Sequence, residues 1–291
     1  MESNRLSKHT RILTRRTGLL LSISKMPVTT ILLPALIVGI AIFGTLLAPY
    51  SSIDHNVGPR IAEPSMKYLF GTDGFGRDVF TRVIHGIRTS MLVGLFSILI
   101  ASTIGISVGM VSSHIGGMVD LLIQRLTELT LGIPFLIIAL IIVVSMGPSM
   151  VSIISGIALA LCPQIVRLSR NNTFRVRNEA YIEASKMTGS STHRTIFLHV
   201  LPNILPPSLA QVSGLFGYAM VAEATLSFLG LGIPPPQPSL GRMIHEGVRQ
   251  HFEIAPWVSL FPAMALTLLV MASALFGDTM LRYRNRKNVR P

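Results

Sequence analysis

Six stretches of this chain contain no Asp, Glu, Lys or Arg, and their lengths limit the fold more than any other feature does. They cover residues 26–53, 89–119, 129–166, 195–222, 224–241 and 254–277. A helix needs about 20 apolar residues to cross the hydrocarbon core of a bilayer, which is about 30 Å thick. Charged residues make up only 13% of the chain, whereas soluble proteins carry about 25%. The sequence therefore predicts an all-α integral membrane protein and disfavours a soluble enzyme.

Dividing these stretches into helices gives six predicted spans. The stretch 129–166 is long enough for two spans, and Met146-Gly147-Pro148-Ser149 reads as a turn near its middle. The fifth span includes Glu223, which separates two of the stretches. The predicted spans lie near 28–48, 90–111, 126–146, 149–168, 206–230 and 256–277.

The distribution of basic residues predicts the orientation. Of the 25 Lys and Arg residues, 18 lie on one side: in the N-terminal tail, at Arg125, in the segment 167–202 and in the C-terminal tail. Basic residues concentrate on the cytoplasmic side of membrane proteins. An even number of spans places both tails on that side, so the N and C termini are predicted to be cytoplasmic. The basic tail at 1–26 is expected to attract anionic lipid and not nucleic acid, since no aromatic residues alternate with its charges. Residues 282–291 form a second basic tail.

Sequence motifs of common enzymes are missing. The chain has no GxxxxGK[ST] phosphate loop and no HExxH. Cys162 is the single cysteine, which excludes a multi-cysteine metal site. We therefore expect a protein that is not an enzyme and that binds no cofactor or metal itself.

The segment 178–202 has the pattern of two short helices joined by a glycine. Asn178 is a candidate N-cap, and Ala180, Ala184 and Met187 form one apolar stripe. Gly189 is expected to end the first piece. Ser191 or Thr192 can cap the second piece, Pro202 is expected to end it, and Pro206-Pro207 suit the first turn of the fifth span. The pattern alone fits equally a helix that docks into another protein and a helix that lies on lipid.

The same segment resembles the EAA loop of ABC importer permeases. Glu183-Ala184-Ser185-Lys186-Met187-Thr188-Gly189 is followed, after nine residues, by His199-Val200-Leu201-Pro202, with the spacing of that family. Ser185 and His199 depart from the usual pattern. The resemblance implies a coupling helix that docks on an ATPase subunit, with a set of candidate contact and hinge residues: Glu183, Ala184, Ser185, Met187, Gly189, His199, Leu201 and Pro202.

Further motifs resemble the oligopeptide, dipeptide and nickel branch of these permeases, and its second permease type. They are Leu69–Arg82 with Gly86–Ser90 before the second span, and Ser227–Gly232 with Pro234–Pro238 after the fifth. Leu240, where the family usually has Trp, and the tail Arg282–Lys287 depart from it. The resemblance implies the type I ABC importer permease fold, with the first span and an external segment at 27–88 and a MetI-like core at 89–281 that includes the coupling loop 178–202.

The resemblance also implies the partners and the cargo. The expected assembly is a heterodimer with a second homologous permease, two ATPase subunits that bind ATP and Mg²⁺, and an external solute-binding protein, in the bacterial cytoplasmic membrane. Di- and oligopeptides are the first expected substrate, and nickel or a metal chelate the alternative. A channel outside the ABC class and a membrane adaptor are remote alternatives.

Two features inside the spans complete the sequence predictions. Glu223 is expected to line the translocation path or to hydrogen-bond to the partner permease, because a charge at the bilayer centre costs about 2.5–3.5 kcal/mol. Gly105, Gly109, Gly214 and Gly217 are expected to let helices approach closely.

Overall fold

The computed structural model describes residues 29–187 and 189–288, and its regular elements there are helices. The predicted tail at 1–26, Thr188 of the loop motif and residues 289–291 lie outside the described part. In chain order the α-helices are α1 (Thr29–Leu47), α2 (Val79–Ile115), α3 (Gly117–Leu131), α4 (Phe135–Met146), α5 (Met150–Arg177), α6 (Ala180–Met187), α7 (Thr192–Thr195), α8 (Leu201–Phe228), α9 (Leu240–Gln250) and α10 (Trp257–Asn288), and a π-helical turn, Ile196–Val200, joins α7 to α8.

Several of these helices are long and apolar enough to cross a membrane. Four qualify by themselves: Val79–Ile115, Met150–Arg177, Ile196–Phe228 and Trp257–Gly277. The pair α3 and α4 qualifies as a fifth if both belong to one bent span, and Leu32–Leu47 is a shorter apolar helix. The all-α membrane fold expected from the charge-free stretches is confirmed at this level.

The third predicted span differs from the prediction of one helix over 126–146. The structure has two helices there, α3 and α4, which meet at an angle of 88°. Pro134 has no backbone N–H and stands directly before α4, where its ring opposes continuation of α3. The predicted turn after Met146 is confirmed: Gly147 has a φ of 79°, and Ser149 caps α5 through a hydrogen bond from the Ser152 N–H.

The centre of the fold is the crossing of α2 and α5, where two predicted glycines lie. A side chain at Gly105 would come within 2.8 Å of the Ile165 Cβ, and one at Gly109 would overlap the Val166 carbonyl oxygen. Ser169 on α5 donates a hydrogen bond of 2.9 Å to the Ile106 carbonyl on α2. These contacts confirm the predicted close approach and keep the backbones of α2 and α5 next to each other.

The other two predicted glycines face α10. A Cβ at Gly217 would collide with the Ser273 side chain, and Gly214 lies 3.2 Å from where a Cβ on Gly277 would stand. Helices α8 and α10 therefore also approach each other closely at glycine positions.

The segment between α1 and α2 folds back onto the ends of α2, α9 and α10. Arg77 bonds to the Asp73 carboxylate at 2.6 Å and to Glu246 of α9 at 3.3 Å. Arg82, which is buried, donates to the Ser52 carbonyl at 3.2 Å. The Trp257 indole N–H donates to the Thr72 carbonyl at 3.3 Å. These bonds attach the segment to α2, α9 and α10.

Candidate functional site

The coupling loop is attached to the body of the protein through one side of α6. Ile182 is fully buried and shares a hydrophobic cluster with Ile196, Val200 and Ile204 of the helical segment that follows. The cluster continues into α2 and α5 through Ile106 and Ile165. Ile182 therefore fixes α6 against the core, although it lies outside the stripe that the sequence singled out.

The opposite side of α6 is exposed and forms what we call the coupling surface: Ala180, Tyr181, Glu183, Ala184 and Met187. Met187 is 90% exposed and Tyr181 45%. The predicted apolar stripe of Ala180, Ala184 and Met187 thus points away from the core of this chain. Ser185, between the two sides, is partly buried. Phe197 and Leu198 add exposed apolar area on the next segment.

The start of α6 differs from the prediction. Asn178 is the C-cap of α5, and its N–H bonds to the Val176 carbonyl. The Glu179 carbonyl accepts from the N–H groups of Ile182 (2.9 Å) and Glu183 (3.4 Å). Because α5 extends to Arg177, past the predicted end near 168, Asn178 closes the earlier helix and Glu179 precedes the first turn of α6.

Gly189 ends α6, as predicted. Its φ is 78°, in the left-handed region that favours glycine. The Ser190 N–H donates to the Ser185 carbonyl at 3.2 Å, the bond that closes a helix in the Schellman motif. Ser191 then starts the next helix: its hydroxyl accepts from the Arg194 N–H at 3.4 Å and its carbonyl from the Thr195 N–H at 3.0 Å. The predicted helix–glycine–helix elbow is therefore present.

Pro202 does not end the second piece, and this prediction was wrong. The chain remains helical from Thr192 to Phe228, through the π turn Ile196–Val200. The Leu201 N–H bonds to the Ile196 carbonyl, five residues back. A wider turn before Pro202 accommodates a residue that lacks an N–H, so the proline falls in the first turn of α8. Pro206 and Pro207 consequently lie inside the helix and not in its first turn.

As a result, the remaining predicted loop residues belong to one helical segment, Thr192–Val200, which we call the rod and which continues into α8. His199 and Leu201 are partly buried and Pro202 is exposed. The His199 carbonyl accepts from the Asn203 amide at 2.6 Å. The chain from Thr192 into α8 is therefore helical without a break.

Glu223 lies apart from the loop and is fully buried within this chain. Its carboxylate accepts hydrogen bonds from the Ser90 hydroxyl of α2 (2.6 Å) and the Ser227 hydroxyl of α8 (2.7 Å). Ser239, the N-cap of α9, also hydrogen-bonds to it. The carboxyl group thus joins three helices of this chain. Both predicted roles of Glu223, a part in the translocation path and a hydrogen bond to the partner permease, stay predictions.

Within residues 29–187 and 189–288, no group of three or more His, Cys, Asp or Glu side chains is arranged to hold a metal ion. His245 packs edge-on against Phe228, with ring centroids 5.4 Å apart. Of the residues that the sequence singled out, those on α6 form an exposed helix face and Glu223 is a buried, hydrogen-bonded carboxyl group.

Comparison with known proteins identifies the family. Residues 101–290 match the family of binding-protein-dependent transport system inner membrane components. The chain is 36% identical to a dipeptide transport system permease of Alkalihalophilus pseudofirmus, over 88% of this chain and 84% of the relative. It is 36% identical to a di/tripeptide transport system permease of Pseudomonas aeruginosa (84% and 82% covered) and 34% identical to a glutathione transport system permease of Pectobacterium atrosepticum (84% and 81% covered). The chain therefore belongs to the binding-protein-dependent inner membrane components, the ABC importer permeases that its loop motif resembles.

Proposed function

We propose that this chain is one of two permease subunits of an ATP-driven importer for di- and oligopeptides. The observation that carries the proposal is the continuous helix from the elbow at Gly189 into α8, with the coupling surface exposed beside it. Relatives named for dipeptides, di/tripeptides and glutathione support short peptides over nickel or a metal chelate.

Energy enters through the coupling surface. ATP and Mg²⁺ bind to two ATPase subunits, which contact Glu183, Ala184 and Met187 from the cytoplasm. Closure of the ATPases moves α6, and the buried Ile182 transmits that motion to the hydrophobic cluster it shares with the rod. Two rigid arrangements of the spans then alternate access, and the external binding protein supplies the peptide.

We propose six spans with both termini in the cytoplasm. The pair α3 and α4 forms one bent span, and α1 forms the first. Its apolar part, Leu32–Leu47, is about 24 Å long at 1.5 Å per residue, and neighbouring residues extend it to the membrane thickness. The concentration of Lys and Arg in the coupling loop and the tails supports this orientation.

Paired methionine variants test the docking. Met187 on the coupling surface is 90% exposed and Met66 on the external segment is 98% exposed. We expect Met187→Asp to reduce co-purification of the ATPase subunits with the permeases at least about tenfold, because a charge replaces an apolar contact in an interface core. Met66→Asp adds the same charge on the other side of the membrane and should leave co-purification unchanged. Equal amounts of ATPase with both variants would contradict the docking assignment.

A further inference from the structure

The bend between α3 and α4 borders a cleft, which we call the bend cleft. Its volume is about 480 Å³, and it is lined by Thr130, Pro134 and Phe135 at the bend, Gln164 of α5, and Gly214 and Tyr218 of α8, with apolar neighbours. This volume falls in the range of ligand sites, about 300–1,000 Å³.

A helix break inside a membrane span restricts what can surround it. Backbone groups at the ends of the two half-helices cannot face lipid, so such breaks are tolerated only within protein or beside a water-filled cavity. Discontinuous helices of this kind commonly border the binding sites of transporters. The bend cleft lies at such a break.

The polar groups of the cleft are exposed although they belong to apolar helices. Gln164 lies inside the charge-free stretch 129–166, and its side chain is exposed. Tyr218 is 49% exposed, and its ring packs against Phe135 with centroids 4.8 Å apart. An amide and a phenol at these positions are unfavourable against hydrocarbon and need water or a hydrogen-bonding partner.

The polar lining continues toward the cytoplasmic end of α5. Gln164, Arg167 and Asn171 are all exposed, and their spacing of three and four residues places them on one face of the helix. The cleft is therefore connected to the cytoplasmic side by a polar stripe, as an exit from a translocation path would be.

Among the described residues, no Asp, Glu, Lys or Arg lines the bend cleft. Its polar groups are an amide of Gln164 and a phenol of Tyr218, which donate and accept hydrogen bonds without a charge, and the hydroxyl of Thr130, which donates to the Leu126 carbonyl at 2.8 Å and can still accept. Such a lining matches the main-chain amides that every peptide shares and does not discriminate between charged side chains.

We propose that the bend cleft is this chain's part of the peptide path, where Gln164 and Tyr218 hydrogen-bond to main-chain amides of the passing peptide. The proposal rests on the peptide-import function proposed above and assigns residues to it. Gln164 and Tyr218 act as specificity-determining residues for the amide, and Phe135 holds the Tyr218 ring in place.

The test compares two cargoes in the whole complex, purified with its partner permease, ATPases and binding protein and reconstituted in lipid vesicles. The cargoes are trialanine and its analogue in which an ester replaces one amide, which removes an N–H donor. The binding protein is the same in every reaction, so a change in the trialanine-to-ester uptake ratio on mutation arises in the permease. We expect Gln164→Leu and Tyr218→Phe to lower that ratio about three- to tenfold, the effect of one lost hydrogen bond. Thr103→Val, at an exposed position of α2 outside the cleft, should leave it unchanged.

A second readout asks whether water reaches the cleft, without reference to the cargo. The Gln164→Cys variant is made in a Cys162→Ala background and assembled into the complex. Its new cysteine should react with a charged maleimide added from the cytoplasmic side. While the complex transports trialanine, that reaction should be at least about threefold slower. Lack of reaction would overturn the proposal, since the position would then face lipid or another protein.

The outcomes separate the cleft from the wider function. If the wild-type complex imports trialanine and the variants keep its uptake ratio, the cleft assignment is overturned and peptide import stands. If the variants no longer co-purify with the partner permease, the cleft is an interface between permeases and the proposal is wrong. If the wild-type complex takes up no peptide while its ATPase responds to another cargo, both proposals are overturned.

Discussion

Glu223 shows how one acidic residue can lie inside an apolar helix without facing lipid. Its carboxylate is enclosed by this chain and accepts hydroxyl hydrogen bonds from Ser90 and Ser227. A buried carboxylate needs such donors, because burial without them costs several kcal/mol. The bonds tie α2 to α8 near the start of α9, so the residue acts as a joint between the fifth apolar helix and its neighbours.

Removing this joint should destabilise the protein. We expect Glu223→Ala to lower the unfolding free energy by about 2–4 kcal/mol, since a cavity forms and two buried serine hydroxyls lose their acceptor. Thermal unfolding of the detergent-solubilised complex measures the effect. Glu128→Ala is the matched control, because Glu128 is exposed and pairs only with exposed Arg125, and such pairs contribute about 0–1 kcal/mol. Equal melting temperatures for the two variants would show that Glu223 is not a structural joint.

The sequence could predict part of this residue's surroundings. An acidic residue within an apolar stretch needs a polar partner, because burying it without one is costly. Ser227 lies four residues after Glu223 and therefore on the same helix face. Ser90 is 133 residues away in the chain, and no local pattern connects it to Glu223. A single sequence therefore indicates that Glu223 needs partners without naming those on other helices.

At the scale of the elements, the crossing of α2 and α5 depends on the absence of side chains at two positions. A Cβ at Gly109 would meet the Val166 carbonyl oxygen and lie 3.0 Å from the Arg170 nitrogen, both parts of the backbone. Backbone cannot move aside as a flexible side chain can. The separation of the two helices is therefore set by Gly109 and, one turn away, by Gly105.

Replacing a helical glycine with alanine should lower the stability of the complex at Gly109 but not at Gly39. We expect Gly109→Ala to destabilise the complex by about 1–3 kcal/mol, because it overpacks the crossing. Gly39→Ala in α1 meets nothing within 4 Å, so it should be neutral or stabilise by up to about 1 kcal/mol through helix propensity. Thermal unfolding of both variants tests this, and a Gly109→Ala complex as stable as the Gly39→Ala complex would contradict the packing described here.

The elements that sequence patterns predicted well are those ended by local signals. Gly147 before Pro148 and Ser149 carries a turn and a cap within three residues, and the structure places both there. The bend at Pro134 lies five residues inside the charge-free stretch 129–166, so the charge-free pattern does not mark it. The effect of Pro202 was misjudged because the preceding π turn, which accommodates the proline, leaves no trace in residue spacing.

At the scale of the whole molecule, the segment 48–78 and helix α6 are attached to the fold in different ways. Bonds of Arg77, Arg82 and Trp257 connect the segment to α9, α2 and α10, respectively. Helix α6 contacts the core through Ile182 and exposes its coupling surface. In the coupling that we propose, a push on α6 passes through the elbow and the rod into α8, while the segment 48–78 stays attached.

The most direct test of this account is peptide uptake and ATP hydrolysis by the reconstituted complex with a stiffened elbow. Gly189 and Gly147 have nearly the same φ, 78° and 79°, and open space around them, but only Gly189 lies in the coupling loop. Proline fixes φ near −65° and distorts either turn to a similar degree. We predict that the Gly189→Pro complex assembles and hydrolyses ATP while its peptide uptake falls at least about tenfold, a loss of about 1.4 kcal/mol in coupling. The Gly147→Pro complex should keep both activities, and wild-type uptake by the Gly189→Pro complex would contradict the coupling role of the loop.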